Sequence, residues 1–186
     1  DFYDDLKKSD YPDIYFARLQ DMLEGSNEIT NVQAKYSIDG EYKEGGQKLL
    51  CKLIDNNDIL AVSSPVNKAF KREFIVNNDL TFCKGIYHDD DEFIPRAIAA
   101  CNTAFFTDRI IYNAMDWDGS FVKIKNEKGL VKKSCDKMFL ADKCCRYFEE
   151  KYDNKEVLKK AYEYYMRIFT SGVLGYYDIE NEEYRA

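Results

Sequence analysis

Proline and glycine are scarce in this 186-residue chain, at three and nine residues, which leaves little material for long linkers. Histidine and tryptophan occur once each, as His88 and Trp117. No run of roughly 18 apolar residues is present, so no segment reads as a membrane span. Neither an Asn-x-Ser/Thr acceptor, a Gly-x-Gly-x-x-Gly turn, a P-loop nor a His-Glu-x-x-His pair occurs, which removes the usual phosphate-cradling and zinc-hydrolase signatures. Positive charge is also short: 27 Lys and Arg face 34 Asp and Glu, for a net charge of -7. A nucleic-acid surface needs clustered cations, so this balance argues against nucleic acid as a partner, and none is expected. The chain opens on Asp1-Phe-Tyr-Asp-Asp5 with no initiator methionine and reads as a mature or trimmed product.

What is present is aromatic and apolar. Apolar residues make up 45% of the chain, with 15 Tyr and 12 Phe, enough for a sizeable core. The apolar spacing predicts an all-α fold over a single domain, 1–186, with about seven or eight helices and a hinge at 117–130. Pro12 opens a first helix carrying Tyr15, Leu19 and Met22, and Gly25 closes it. A second runs from Ser26 through Ile29, Val32 and Tyr36 to Gly40, and a third carries Leu49, Leu50, Leu53 and Ile54. Ser63-Ser64-Pro65 caps a helix that ends at Asn77-Asn78. A long central helix is expected from Asp89 to Trp117, and one short β-hairpin near 121–130. Cys135 to Tyr152 and Val157 to Phe169 form a terminal helical hairpin broken at Asp153-Asn154.

The six cysteines are Cys51, Cys83, Cys101, Cys135, Cys144 and Cys145. None has the Cys-x2-4-Cys spacing of a zinc knuckle or the Cys-x-x-Cys of a redox site. Their even number instead suits structural disulfides in a secreted, extracellular chain. If 135–152 is one helix, Cys135 and Cys145 are separated by about 15 Å of rise, beyond the about 7 Å a disulfide spans. All three would then staple that helix to the elements bearing Cys51, Cys83 and Cys101.

Chemistry-bearing groups concentrate at Gly85-Ile-Tyr-His-Asp-Asp-Asp-Glu92. Acidic neighbours can orient His88 as a general base, and Asp89 to Glu92 could hold calcium. A surface loop and a helix-capping acidic turn explain the same residues, and both are preferred. Asp116-Trp-Asp-Gly-Ser120 lacks the glycine and glutamate of a calcium loop and reads as a turn. No catalytic residue, metal site or cofactor is assigned. A carboxylate hydrolase would need two acids converging in a cleft. Tyr162, Tyr164, Tyr165, Tyr176 and Tyr177 are too many aromatics for one helix face and form the candidate surface for a partner or ligand.

Asp1-Phe-Tyr-Asp-Asp-Leu6, Lys48-Leu-Leu-Cys-Lys-Leu-Ile-Asp55 and the Cys144-Cys145 helix resemble the mosquito salivary 34-kDa secreted protein family. That resemblance implies secretion in saliva during blood feeding, action by binding host or insect proteins, no catalytic residues, and a missing N-terminal segment. The expected function is therefore a secreted, non-enzymatic effector that binds a protein partner. The alternative is an odorant-binding-like carrier or scavenger of a small hydrophobic ligand, with an aromatic-lined helical pocket.

Overall fold

The computed structural model describes residues 2–116 and 126–179 and divides into two compact units. One comprises Asp1–Thr81 and Phe93–Asp118, the other Phe82–Glu92 and Gly119–Ala186. The architecture is mixed α/β, which corrects the expected all-α bundle. Among the described residues, no helix is long and apolar enough to cross a membrane.

In the first unit, helix α1 (Phe2–Lys8) precedes strands β1 (Ile14–Leu23), β2 (Ile29–Val32) and β3 (Gly40–Tyr42). Helices α2 (Gly46–Asp55) and α3 (Ile59–Ser63), strand β4 (Lys68–Phe70) and helix α4 (Arg72–Asn77) follow. Helix α5 (Asp89–Ala100), whose residues 89–92 belong to the other unit, then leads into strand β5 (Ala104–Asp116). The sheet runs β2-β1-β5-β3, with β4 also paired to β1. The β1–β5 pair is parallel and the others are antiparallel.

Four expected helical stretches change identity. Tyr15, Leu19 and Met22 do recur at helical spacing, yet they lie on β1, and Ile14, Tyr15, Phe16 and Ala17 are wholly buried in succession. A central strand covered on both faces has such a contiguous apolar run. The Ser26 to Gly40 helix is replaced by β2, and the helix expected after Pro65 by β4 and the short α4. The long central helix stops at Ala100, because Asp13 holds the chain in a turn. Its carboxylate accepts the N–H groups of Asn102 and Thr103 at 2.8 and 3.2 Å, and its own N–H donates to Thr103 Oγ1 at 3.0 Å. Beyond it, Ile110-Ile111-Tyr112 are strand-forming residues on β5. The third expected helix is α2. Its Gly46 cannot be enlarged: an added Cβ would sit 1.9 Å from the carbonyl oxygen of Ile98.

Phe16 and Phe106 are direct neighbours in the parallel register and stack at 4.3 Å. Tyr36 meets both rings edge-on and donates its hydroxyl to the Ala17 carbonyl at 2.8 Å. Buried Asn67 donates to the Tyr36 hydroxyl and to Gln33 Oε1, at 2.9 and 3.1 Å, and Gln33 Oε1 also accepts the Leu19 N–H. Burial pushes the Tyr36 hydroxyl up to about 12. This network fastens the segment after β2 to the sheet, each buried polar group finding a partner.

In the second unit, α6 (Glu127–Lys151) and α7 (Lys155–Tyr177) form the expected helical hairpin, although α6 begins well before Cys135. Asn126 caps α6 by accepting the Gly129 N–H, and Asn154 caps α7 by accepting those of Glu156 and Val157. Leu140, Cys144 and Phe148 on α6 and Val157, Ala161 and Tyr165 on α7 are buried. Gly172 allows close approach, since a Cβ there would lie 2.8 Å from the Ser134 carbonyl oxygen. The strand expected at 121–125, the Asp116 to Ser120 turn and most of the 117–130 hinge lie outside the described residues; 127–130 belong to α6.

The disulfide staples are also corrected. Cys51, Cys83, Cys101, Cys135, Cys144 and Cys145 are all thiols. Cys51 and Cys101 are buried in the core of the first unit, whereas Cys144 is buried in the second, beside the Tyr165 hydroxyl. These cysteines behave as small apolar core residues. The expectation of secretion, which rested on disulfides, loses that support.

Candidate functional site

The residues that converge with perturbed titration lie in the second unit, where the loop 85–88 enters the first turn of α5. The acidic stretch Asp89-Asp-Asp-Glu92 is that turn, as its composition suggests. His88, just before it, has a left-handed backbone with φ of 63°, an uncommon conformation for a residue with a side chain. The Asp91 N–H closes the turn by donating to the His88 carbonyl at 3.1 Å and to Asp90 Oδ1 at 3.0 Å. The ring of His88 is thereby brought over the helix start, with Nδ1 3.6 Å from Asp91 Oδ2.

The hairpin supports this loop from below. Tyr164 donates its hydroxyl to Asp91 Oδ1 at 2.8 Å, and Tyr165 donates to the Asp91 carbonyl at 3.2 Å. Asp136 on α6 accepts the Tyr87 N–H at 2.7 Å and pairs with Lys132, which also donates to the Gly85 carbonyl. Glu92, almost fully buried, pairs with Lys143 at 2.8 Å.

Burial drives the electrostatics. The Asp91 carboxyl is pushed up to about 6, first by burial and then by the charge of Asp90, with the Tyr164 hydrogen bond pulling the other way. Asp90 is raised by burial too. Burial and the nearby Lys137 ammonium lower His88, which favours a neutral imidazole. An ionisable cluster displaced from its ordinary values is the physical signature of an acid–base site. A nitrogen of His88 and one oxygen each from Asp90 and Asp91 lie within 4.8 Å of one another, which would also suit a divalent cation. Against that, one Asp91 oxygen already accepts from Tyr164 and one Asp90 oxygen from a backbone N–H.

The five tyrosines of the candidate surface separate. Tyr164 and Tyr165 are buried beneath the loop. Tyr162 is half-buried and bonds Glu149, Tyr176 is half-buried, and Tyr177 is exposed. Sequence reasoning singled out His88 and Asp89 to Glu92 but missed Tyr164 as their support. The two regions are 73 residues apart, and no local pattern joins them. No family model and no curated protein matches the chain.

Proposed function

We propose that His88, Asp90 and Asp91 form an acid–base site for a neutral, hydroxyl-bearing small molecule. The observation that carries this reading is the meeting of a neutral imidazole and two carboxyls of raised pKa within 4.8 Å. Ionised carboxylates only accept hydrogen bonds, so they select donors such as hydroxyls. A carboxyl whose pKa is about 6 gains and loses its proton near neutrality, which suits a general acid or base. Asp91 is the proton-transferring group, Asp90 holds its value up, and Tyr164 orients it.

The single histidine makes the test direct, because one imidazole resonance reports the site. Titrating simple sugars and polyols against that resonance should shift it and its pKa, and Asp91→Asn should abolish the response. A resonance that no polyol moves, and that Asp91→Asn leaves unaltered, rejects the site.

A second reading, binding of a protein partner, is favoured by a different observation. The α7 helix is apolar well beyond the face it buries: Met166, Leu174 and Tyr177 are 53%, 59% and 70% exposed. Exposed apolar side chains grouped on one helix support an interaction site there. Binding through α7 needs no disulfide and is independent of compartment; substituting Met166 by Asp should remove it without altering the helical content.

A further inference from the structure

In the first unit a depression of about 420 Å³ opens between α1 and β5, lined by Asp5, Lys8, Phe105, Thr107 and Arg109. Tyr15 and Phe105 are direct neighbours in the parallel β1–β5 register, so their rings leave the same face of the sheet and stack at 5.6 Å. Thr107, two residues beyond Phe105, returns to that face. Asp5 and Lys8 are three residues apart and share one side of α1. Beside this lining lies a polar atom with nothing to bond. Tyr15 is fully buried, and its hydroxyl has no hydrogen-bond partner. Thr107, Asp5 and Arg109, all in the lining, are the groups whose charge or dipole reaches it. Burial keeps the phenol protonated, so it is a donor. A buried hydroxyl without a partner has already given up its bonds to water, and an acceptor brought to it is gained without that cost.

We propose that this depression binds a small monocarboxylate with an apolar body, its carboxylate accepting from the Tyr15 and Thr107 hydroxyls and the Arg109 guanidinium, its body against Phe105. The Thr107 hydroxyl accepts the Arg109 N–H at 3.3 Å, which leaves its own proton to donate. Asp5 engages Arg109 through Nε, which leaves the terminal N–H groups of the guanidinium for a ligand. Two cations, Lys8 and Arg109, stand against the one carboxylate of Asp5, so the lining carries a single surplus positive charge. That surplus suits a monoanion, whereas each further negative charge on a ligand meets Asp5. The site goes beyond the acid–base cluster, which belongs to the other unit and selects neutral hydroxyl compounds.

The test titrates the whole chain calorimetrically with benzoate, phenylacetate and hexanoate, beside benzamide and phenyl phosphate. At least one of the three carboxylates should bind saturably, benzamide should not, and phenyl phosphate should bind more weakly. Tyr15→Phe removes only the hydroxyl and should weaken the carboxylate about tenfold, as expected for the loss of one hydrogen bond to a charged group. Arg109→Gln, at an exposed position, should weaken it at least as much. In the absence of ligand, Tyr15→Phe should be as stable to urea as wild type or more so, because the hydroxyl has no partner to lose. Binding of none of the three carboxylates overturns the site, as does binding that Tyr15→Phe and Arg109→Gln leave unaltered. Tighter binding of phenyl phosphate overturns the monocarboxylate. A ligand-free Tyr15→Phe less stable than wild type would mean that a bound water already satisfies the hydroxyl, and that too overturns the proposal.

Discussion

Tyr164 and Asp91 are 73 residues apart in the chain and joined by a 2.8 Å hydrogen bond, the phenol donating to a carboxylate whose own pKa is displaced to about 6. An aspartate that is harder to ionise in the folded protein than in the unfolded chain makes stability depend on pH. Its folded value lies above its unfolded one, so its contribution is complete below about pH 3.8 and is lost as pH rises through about 6. As pH falls from 7 toward 5 Asp91 should therefore add stability, on the order of 2–3 kcal/mol over its full range, while His88, which burial lowers, opposes it in the same window. Urea unfolding of wild type and Asp91→Asn at pH 5 and pH 7 checks this. The asparagine retains an acceptor for Tyr164 and should flatten the profile.

Replacing Tyr164 by Phe removes the donor that favours the ionised carboxylate. The Asp91 carboxyl should then titrate higher still, as read from its carbon resonance, and the loop should lose about 1–2 kcal/mol of support.

Asn67 is fully buried and donates to both Tyr36 and Gln33. Asn67→Ala leaves the Gln33 and Tyr36 oxygens short of a donor and should cost about 2–3 kcal/mol in urea unfolding. A loss below about 0.5 kcal/mol would show that water replaces the amide without penalty.

At Gly46 the close approach is to backbone, so no side chain can step aside. Gly46→Ala should lower the thermal midpoint despite alanine's advantage of about 1 kcal/mol in a helix. A midpoint equal to or above wild type would contradict the contact with Ile98.

All six cysteines should react with a thiol reagent after unfolding without reductant. In the native protein the exposed Cys135 should react first, while Cys101, whose thiol burial pushes up to about 12, should react only on unfolding. Fewer than six thiols in the unfolded, unreduced chain would restore the disulfide reading.

The terminal hairpin and α2 were legible because their apolar spacing is helical and α7 follows the Asp153-Asn154 break; the start of α6 was not, since its capping Asn126 read as a turn. The sheet was not. Tyr15, Leu19 and Met22 satisfy a helix as well as they satisfy one part of β1, and only the partners of β1, far away in the chain, decide between them. The same holds for β5, whose separation from α5 depends on Asp13 clamping Asn102 and Thr103 from about ninety residues away. In the candidate site, His88 and the acidic turn stood out by composition. Their perturbation did not, since it comes from burial and from Tyr164, neither of which has a local signature.

The placing of β1 early and of its parallel neighbour late has a consequence for biosynthesis. Ile14 pairs with Phe70 on one side and Ala104 on the other. At roughly 5–20 residues per second, a ribosome needs about 2–7 s to pass from the first of these partners to the second. Throughout that interval the apolar segment Ile14–Ala17 has β4 along one edge and nothing native along the other. A nascent chain in that condition is a substrate for the chaperones that screen unfinished sheets.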